Sequence, residues 1–583
     1  MKSESFVKSH LIRYKWQYLF GTILLSISSL LQLQIPKFLE TFADHVEAST
    51  LTQTILIQLA IYITLIGFGI AFFRSSGRIF IFRLSRILEK KVRRSLFTHW
   101  VKMPSQYYNK QRIGDLMSHA INDVNLIRDV AMRGIFLTIE AFILITVAVI
   151  TMAITINVWL TLLVILPLPG LTYLTYKFRL QIQERSTKVQ EAIGHLTSTV
   201  QEFCSGIRVV KSYSQENHER QRFKRDNQHN VKANQQLILT NSMFNSISIG
   251  IVGLSYLLSI FFGGLLVMNG TISLGEFVAF NTYLSLLIAP VENLGKVINT
   301  LQRGWASNIR LRNILNTEPE VKDESMVQED GEVHGEIHIE NLSFSYPESN
   351  EVALKNIHLT VPRGSSLAIV GRVGSGKTTL INVLTRMYNP PKGTIFYDGR
   401  DIYEIPLKTL RKSVGIVPQE NFLFSSTIAK NIAFDPEHYS REDVAEAAKL
   451  SQVYNNIIEF PKKFDTPLGE RGISLSGGQR QRVSIARSLI KEASIFIFDD
   501  SLSAVDGETE EKILQGMKEK MNEQTTIIVS HRISSIKHAD QIIVMEEGRI
   551  AERGTHESLL KEKGLYRRMY EKQTFGHENI IGD

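Results

Sequence analysis

The hydrophobic pattern of the chain changes near its middle. Before residue 300 it carries six long apolar runs, at 16–35, 54–73, 134–156, 158–178, 243–268 and 274–298. A helix of about 20 residues, rising 1.5 Å per residue, crosses a hydrocarbon core of about 30 Å. Six such runs leave too little polar surface for a soluble helical domain, so the pattern predicts six membrane-spanning helices. After residue 335 the apolar runs shorten and become β-rich, at 366–370, 413–417, 494–499, 525–529 and 541–545, with helical stretches between them. Strands alternating with helices predict a doubly wound α/β domain. The polar, acidic stretch 317–335 reads as a linker. The predicted architecture is an α-helical six-span membrane domain with long helical extensions at 1–316, then an α/β domain at 336–583.

Charge orients the first half. The connection 43–53 carries Asp44 and Glu47 but no Lys or Arg, and the turns near 156–159 and 269–276 are also free of them. The segment 82–133, in contrast, carries eleven Lys and Arg, and 177–234 is similarly basic. The positive-inside rule then places the N-terminus, both basic segments and the second half in the cytoplasm. Structureless loops of about 50 residues are rare in compact domains. The basic segments are therefore expected to continue the spanning helices and reverse near 104–112 and 212–219.

The chain has 583 residues, 44% of them hydrophobic, and a formal net charge of +8. Residues 1–320 hold 33 Lys and Arg against 19 Asp and Glu, and the remainder holds 33 against 39. The basic excess thus flanks membrane spans, which argues against a nucleic-acid partner and for a lipid bilayer. A single cysteine, Cys204, excludes an intramolecular disulfide framework.

The first strand-like run opens into Gly371-Arg372-Val373-Gly374-Ser375-Gly376-Lys377-Thr378. Glycines in this spacing let backbone N–H groups converge on phosphate oxygens, while Lys377 reaches the β/γ-phosphates and the Thr378 hydroxyl suits Mg²⁺. About 120 residues later the apolar run 495–498 ends in Asp499 and Asp500, which suits a carboxylate beside that ion. Between the two lies Leu475-Ser476-Gly477-Gly478-Gln479, a helix N-terminus that suits either a plain serine cap or a second phosphate. One chain holds a single γ-phosphate, so a second anion site points to a nucleotide shared between two copies of the domain.

With these motifs in this order, nearly the whole chain resembles an ABC exporter half-transporter. The resemblance implies ATP and Mg²⁺ as cofactors. Residues 371–378 with Thr379 match the phosphate loop, and Ser476, Gly477, Gly478 and Gln479 match the ABC signature. Asp499 resembles the metal-holding aspartate, Gln419 the glutamine that senses metal and γ-phosphate, and His531 the switch histidine. Tyr346 resembles the aromatic that stacks on adenine, and Asp506 lies in a segment similar to the D-loop. Residues 469–472 resemble the exporter-type segment that contacts the coupling region. The two reversals would be coupling helices, the second inserting into a partner's ATPase domain. Asp500 departs from the family, which normally carries the catalytic glutamate there. That shortened carboxylate resembles the degenerate half of heterodimeric multidrug exporters and implies a second half-transporter and an amphipathic substrate. Lipid or peptide export, and a homodimer, remain open on the residues alone.

Intramembrane acids usually face a bundle interior or an aqueous path. Glu140 and Glu292 are therefore candidate cavity residues, with Asn281, Ser285 and Lys296 near the same helical face as Glu292. The expectation is that a glutamate tunes affinity for cationic amphiphiles. The competing readings are an internal base for Glu140 and a Glu292–Lys296 ion pair.

Overall fold

The computed structural model describes all residues except 1–5, 324–330, 348, 350, 436, 470–474, 504, 521–522 and 579–583. It divides into two compact units, residues 1–101 with 112–317, and residues 102–111 with 318–583.

In the first unit, six helices are long and apolar enough to cross a membrane: α1 (Lys15–Glu47), α2 (Gln53–Val101), α3 (Ile113–Ile156), α4 (Val158–Ser205), α5 (Glu216–Met268) and α6 (Leu274–Asn316). α2 to α5 continue well beyond their apolar runs through the two basic segments, as those segments predict. The reversals fall where expected, at the short helix Ser105–Lys110 and at the turn 213–215. Asn157 caps the start of α4 by accepting from the Leu160 N–H. Ser273 and Glu276 form a capping box at the start of α6.

Small residues and polar pairs hold these helices together. A Cβ on Gly77 of α2 would lie 2.8 Å from Leu25 of α1, so the glycine permits the crossing. Phe280, Tyr283, Leu284 and Leu287 of α6 bury against Leu144, Met152, Leu160, Val164 and Leu171. Arg74 of α2 pairs with Glu140 of α3 at 2.9 Å. The buried carboxylate of Asp123 accepts from Ser307 of α6 at 2.9 Å and also from Arg310. The most apolar stretch of α2 contains no buried residue.

The second unit contains two sheets. One has the order β2-β1-β4-β5, built from β1 (Ile337–Ser345), β2 (Val352–Val361), β4 (Ile395–Tyr397) and β5 (Arg400–Asp401). The other has the order β10-β9-β3-β8-β7-β6, built from β3 (Ser366–Gly371), β6 (Val414–Val417), β7 (Ile495–Asp499), β8 (Thr525–Val529), β9 (Gln541–Glu546) and β10 (Arg549–Gly554). Strands β9, β3, β8, β7 and β6 run parallel.

Because the central strands are buried on both faces, they read as unbroken apolar runs. Alternation survives in where each side chain goes. Leu367, Ile369, Ile495 and Ile497 enter one core with the four-stranded sheet, while Ala368, Val370, Phe496 and Phe498 enter the other. The four-stranded sheet and β10 have no counterpart in the sequence reading. Its strands carry polar residues such as His338, Glu340 and Asn341 among the apolar ones, which weakens the signal.

Part of the stretch expected to be a linker is docked. The Asp398 carboxylate accepts the N–H groups of His334, Gly335 and Glu336 at 2.6, 3.2 and 3.0 Å. The Lys322 carbonyl accepts from the fully buried Arg386. The short helix Ser105–Lys110 belongs to this unit, with Asn109 bonded to the Tyr388 hydroxyl at 3.4 Å and Lys110 at 4.0 Å from Glu320.

Asp398 also adopts a left-handed backbone (φ 49°), a region that Asp and Asn tolerate. Asp398→Ala should cost about 2 kcal/mol, the scale for lost hydrogen bonds to a charged group. The melting transition of the ATPase unit, followed by calorimetry on the full chain, should fall by roughly 4–8 °C. Asp398→Asn should lose less than half as much.

Candidate nucleotide site and membrane cavity

Parallel pairing brings the carboxyl ends of β3, β8, β7 and β6 to one edge of the sheet, the usual location of a ligand in such folds. From β3 the chain enters the loop 371–376 and then helix α7 (Lys377–Leu384). Gly374 and Gly376 have φ values of 81° and 99°, which side chains rarely adopt. A Cβ on Gly371 would lie 2.3 Å from the Met545 carbonyl oxygen, so only glycine fits beside β9. The Lys377 amine donates to the carbonyls of Gly371 and Arg372, each at 2.8 Å. Burial holds its pKa below the usual lysine range. The Ser375 hydroxyl is buried in the loop without a protein partner.

Asp499 ends β7 and is 5% exposed. Burial raises its carboxyl above the usual range, opposed by a hydrogen bond from Thr378 and the charge of Lys377. Asp500 follows with φ 46°, and its N–H donates to the Val529 carbonyl at the end of β8 at 2.9 Å. His531 lies two residues past Val529, where its charge bears on Asp499. Gln419 lies two residues past Val417, the partner of Phe498 in the β6–β7 ladder, and is exposed.

These groups fit a Mg²⁺–nucleotide. The glycine loop leaves backbone room for phosphates, and the orphaned Ser375 hydroxyl and Lys377 amine are suited to phosphate oxygens. The Thr378 hydroxyl, Asp499 and Gln419 supply the hard oxygen ligands that Mg²⁺ prefers. The bound ion would neutralise charge on the β- and γ-phosphates.

Tyr346 and Thr379 are joined, the tyrosine hydroxyl donating at 3.0 Å. The Tyr346 ring packs edge-on against Tyr388 at 5.0 Å and Phe344 at 5.3 Å. The aromatic is thereby tied to α7 on one side and, through Tyr388, to Asn109 on the other. Asp506 caps helix α9 (Gly507–Lys520) by accepting the Thr509 N–H at 3.0 Å.

The signature residues lie at the start of helix α8 (Gly477–Leu489). Ser476 accepts the Gln479 N–H at 3.2 Å while Gln479 accepts the Ser476 N–H at 3.0 Å, a reciprocal capping box. Ser476 and Gly477 are exposed, and Leu475 anchors them in a separate helical core with Ile428, Val444 and Val483. Two arginines that the sequence reading passed over fix the surrounding loops. Arg487 of α8 donates to Phe422 and Asn431, tying α8 to the segment after Gln419. Arg532 donates to Ser503 and Val505, tying the D-loop segment to the strand end that carries His531. Of residues 469–472, positions 470–472 lie outside the described residues.

Comparison with known proteins agrees with this geometry. Residues 18–291 match the ABC transporter transmembrane region, and residues 354–503 match the ABC transporter ATP-binding family. The chain is 36% identical over 96% of its length to a probable multidrug resistance ABC transporter ATP-binding/permease protein, YheI, of Bacillus subtilis, covering 96% of that protein. The chain belongs to the ABC exporter family. It is 34% identical to an ATP-dependent lipid A-core flippase of Syntrophus aciditrophicus, over 83% of this chain and 80% of that one. A bacterial Atm1-family ABC exporter solved with ATP bound superposes with a TM-score of 0.80 at 27% identity, covering 96% of this chain and 98% of that one. The exporter is a multi-pass membrane protein that binds and hydrolyses ATP to drive export.

In the membrane unit of this exporter a cavity of about 980 Å³ opens between α4, α5 and α6. Glu292, Lys296, Asn299 and Arg303 line it from α6, a stripe at helical spacing. Glu140, Asn281 and Ser285 are placed elsewhere. Glu140 pairs with Arg74, Asn281 accepts from Ser259 of α5 at 3.1 Å, and the Ser285 hydroxyl donates to the Thr282 carbonyl. Lys296 donates to Asn293 at 3.1 Å, and among the described residues Glu292 has no ion-pair partner within 4 Å. The sequence reading missed Arg179, Ser248 and Arg303, which also line the cavity. For Arg303 the i, i+4, i+7, i+11 spacing from Glu292 was the available signal.

Because its folded-state pKa is raised, ionised Asp499 destabilises the nucleotide-free domain near neutral pH, a cost that fades as pH falls through that pKa. Asp499→Asn should therefore leave the nucleotide-free melting temperature equal or higher at pH 7.5. The rise in melting temperature normally produced by Mg²⁺–ATP should disappear in the same variant. A thermal-shift titration with and without Mg²⁺–ATP reads both.

Proposed function

We propose that this chain is the degenerate half of a heterodimeric exporter of amphipathic compounds, of the kind represented by the BmrC subunit of the bacterial BmrCD multidrug exporter. The observation that carries the proposal is Asp500, the residue directly after the metal-holding Asp499. A general base must come within about 2.6–3.2 Å of the attacking water. Aspartate is one methylene shorter than glutamate, which withdraws the carboxylate by roughly 1.5 Å. A misplacement near 1 Å costs on the order of 10²-fold in rate. The site built on Lys377, Asp499 and Asp500 would bind ATP and hydrolyse it slowly.

The signature carries no such defect. Ser476 and Gly477 sit exposed at a capped helix start with Gly478 half-buried behind them, an arrangement suited to completing a phosphate site on another ATPase domain. A partner whose own metal-holding strand ends in Asp-Glu would make that second site fully active. ATP held in the slow site keeps the two domains together while the fast site turns over. The charge pattern of the membrane half puts the N-terminus and the ATPase domain in the cytoplasm. Domain closure would draw the long helical extensions together and open the membrane path outward, and hydrolysis would reset it. Tyr346, exposed on part of its ring beside α7, would meet the adenine.

Purified alone, the chain should show little drug-stimulated ATPase activity. Within the heterodimer, Asp500→Asn should lower turnover less than threefold, whereas Ser476→Ala should lower it at least tenfold. Asp500→Glu should speed hydrolysis at the slow site by about tenfold or more, given the recovered reach. Robust activity of the isolated chain, or an Asp500→Asn defect equal to that of Glu→Gln in the partner, would remove the asymmetric assignment.

A further inference from the structure

The cavity between α4, α5 and α6 is graded along its length. Ile249, Val252 and Ile288 line the end nearer the middle of the spans. Toward the end of α6 that leads to the ATPase domain, the lining gains Arg179, Glu292, Lys296, Asn299 and Arg303 beside Ile182 and Phe244. Three cations thus face one carboxylate, and in the described structure none of the three pairs with that carboxylate within 4 Å. Asn299 is oriented by a hydrogen bond to Gln183 of α4 at 3.3 Å, which holds α4 and α6 together at the polar end.

Cations that share a partly enclosed space without an acidic partner repel one another, and a counter-charge supplied by a ligand relieves that cost. From this arrangement we propose that the exporter selects amphiphiles with a negatively charged head, carboxylate or phosphate. The head would be held by Arg179, Lys296 and Arg303, with the apolar tail against Ile249, Val252 and Ile288. Glu292 opposes such a head and sets an upper limit on its charge. The proposal rests on the export reading above and reverses the preference for cations suggested by intramembrane glutamates alone.

The test uses the full-length transporter in its assembled dimer, reconstituted in lipid nanodiscs for binding and in proteoliposomes for transport. The binding probes are a dansyl-labelled fatty acid, a fluorescent phosphatidylglycerol, a fluorescent phosphatidylcholine and cationic rhodamine 6G. The two anionic probes should bind more tightly than the other two, and whichever of them is transported identifies a soluble amphiphile or a lipid as the source of the head. Lys296→Gln and Arg303→Gln should each weaken anionic binding by roughly tenfold, as expected for a lost charge-assisted hydrogen bond. Lys296→Arg should restore it. Glu292→Gln should tighten anionic binding and weaken that of rhodamine 6G. The opposite signs at Glu292 and Lys296 cannot both come from misfolding. ATP-driven transport of rhodamine 6G with no response of the anionic probes to these variants would overturn the proposal and leave export intact. Loss of ATP-driven transport for every probe in the wild-type dimer would overturn the export reading and this inference with it.

Discussion

Everything in the ATPase domain depends on the parallel register of four strands. Val417 pairs with Phe498, Asp499 with Val529, and Ile369 with Val529. Those pairings fix where Gln419, Asp500, His531 and the glycine loop emerge, because each lies a few residues past the last paired position. A slip of one residue would turn every side chain of a strand into the opposite core, replacing Ile497 with Phe498 and burying the wrong volume. Hydrophobic packing on both faces of the sheet therefore positions the polar site. The energy that holds Asp499, Lys377 and Thr378 together against their own desolvation comes from apolar residues that touch no nucleotide.

The signature is built differently. It stands on α8, whose first turn is rooted by Leu475 in a helical core apart from the two sheet cores. Further along, Ile485 and Leu489 of the same helix pack with Val417, Phe496 and Phe498 in the sheet core, and polar ties add to that contact. Arg487 grips the segment after Gln419, and Gln481 donates to the Asp500 carbonyl at 3.4 Å. α8 therefore bridges the sheet core and the helical core, and these ties couple the occupied edge to the signature helix. In the proposed dimer each chain would lend its signature to the partner's nucleotide, so the two sites of an unlike pair could differ in chemistry.

In the membrane unit the hydrophobic effect cannot distinguish helix neighbours from lipid tails, so small residues and polar pairs set the packing. Gly77 lets α1 and α2 approach, and Asp123 with Ser307 and Arg310 joins α3 to α6. Arg74–Glu140 shows the same economy, since each charge neutralises the other. The cations of the cavity are not neutralised in this way, which makes their position informative about a ligand.

Much of this was legible from the chain. Apolar run length marked six spans because a helix must satisfy its backbone internally to cross a bilayer. Lys and Arg counts located the long extensions, and five buried parallel strands announced themselves as unbroken apolar runs. The glycine loop, Asp499 and the signature were visible as motifs because phosphate and metal chemistry allows few substitutes, whereas Gln419 and His531 entered only through the family resemblance. The edge strands, the docking of the supposed linker on Asp398, and the roles of Arg487 and Arg532 were not legible. They depend on contacts between residues tens to hundreds of positions apart, and a sequence carries no distance. The same reason separates Glu140 from Glu292. Both are acids inside apolar helices, and only the tertiary structure decided that one meets an arginine across a helix pair while the other faces an open cavity among cations.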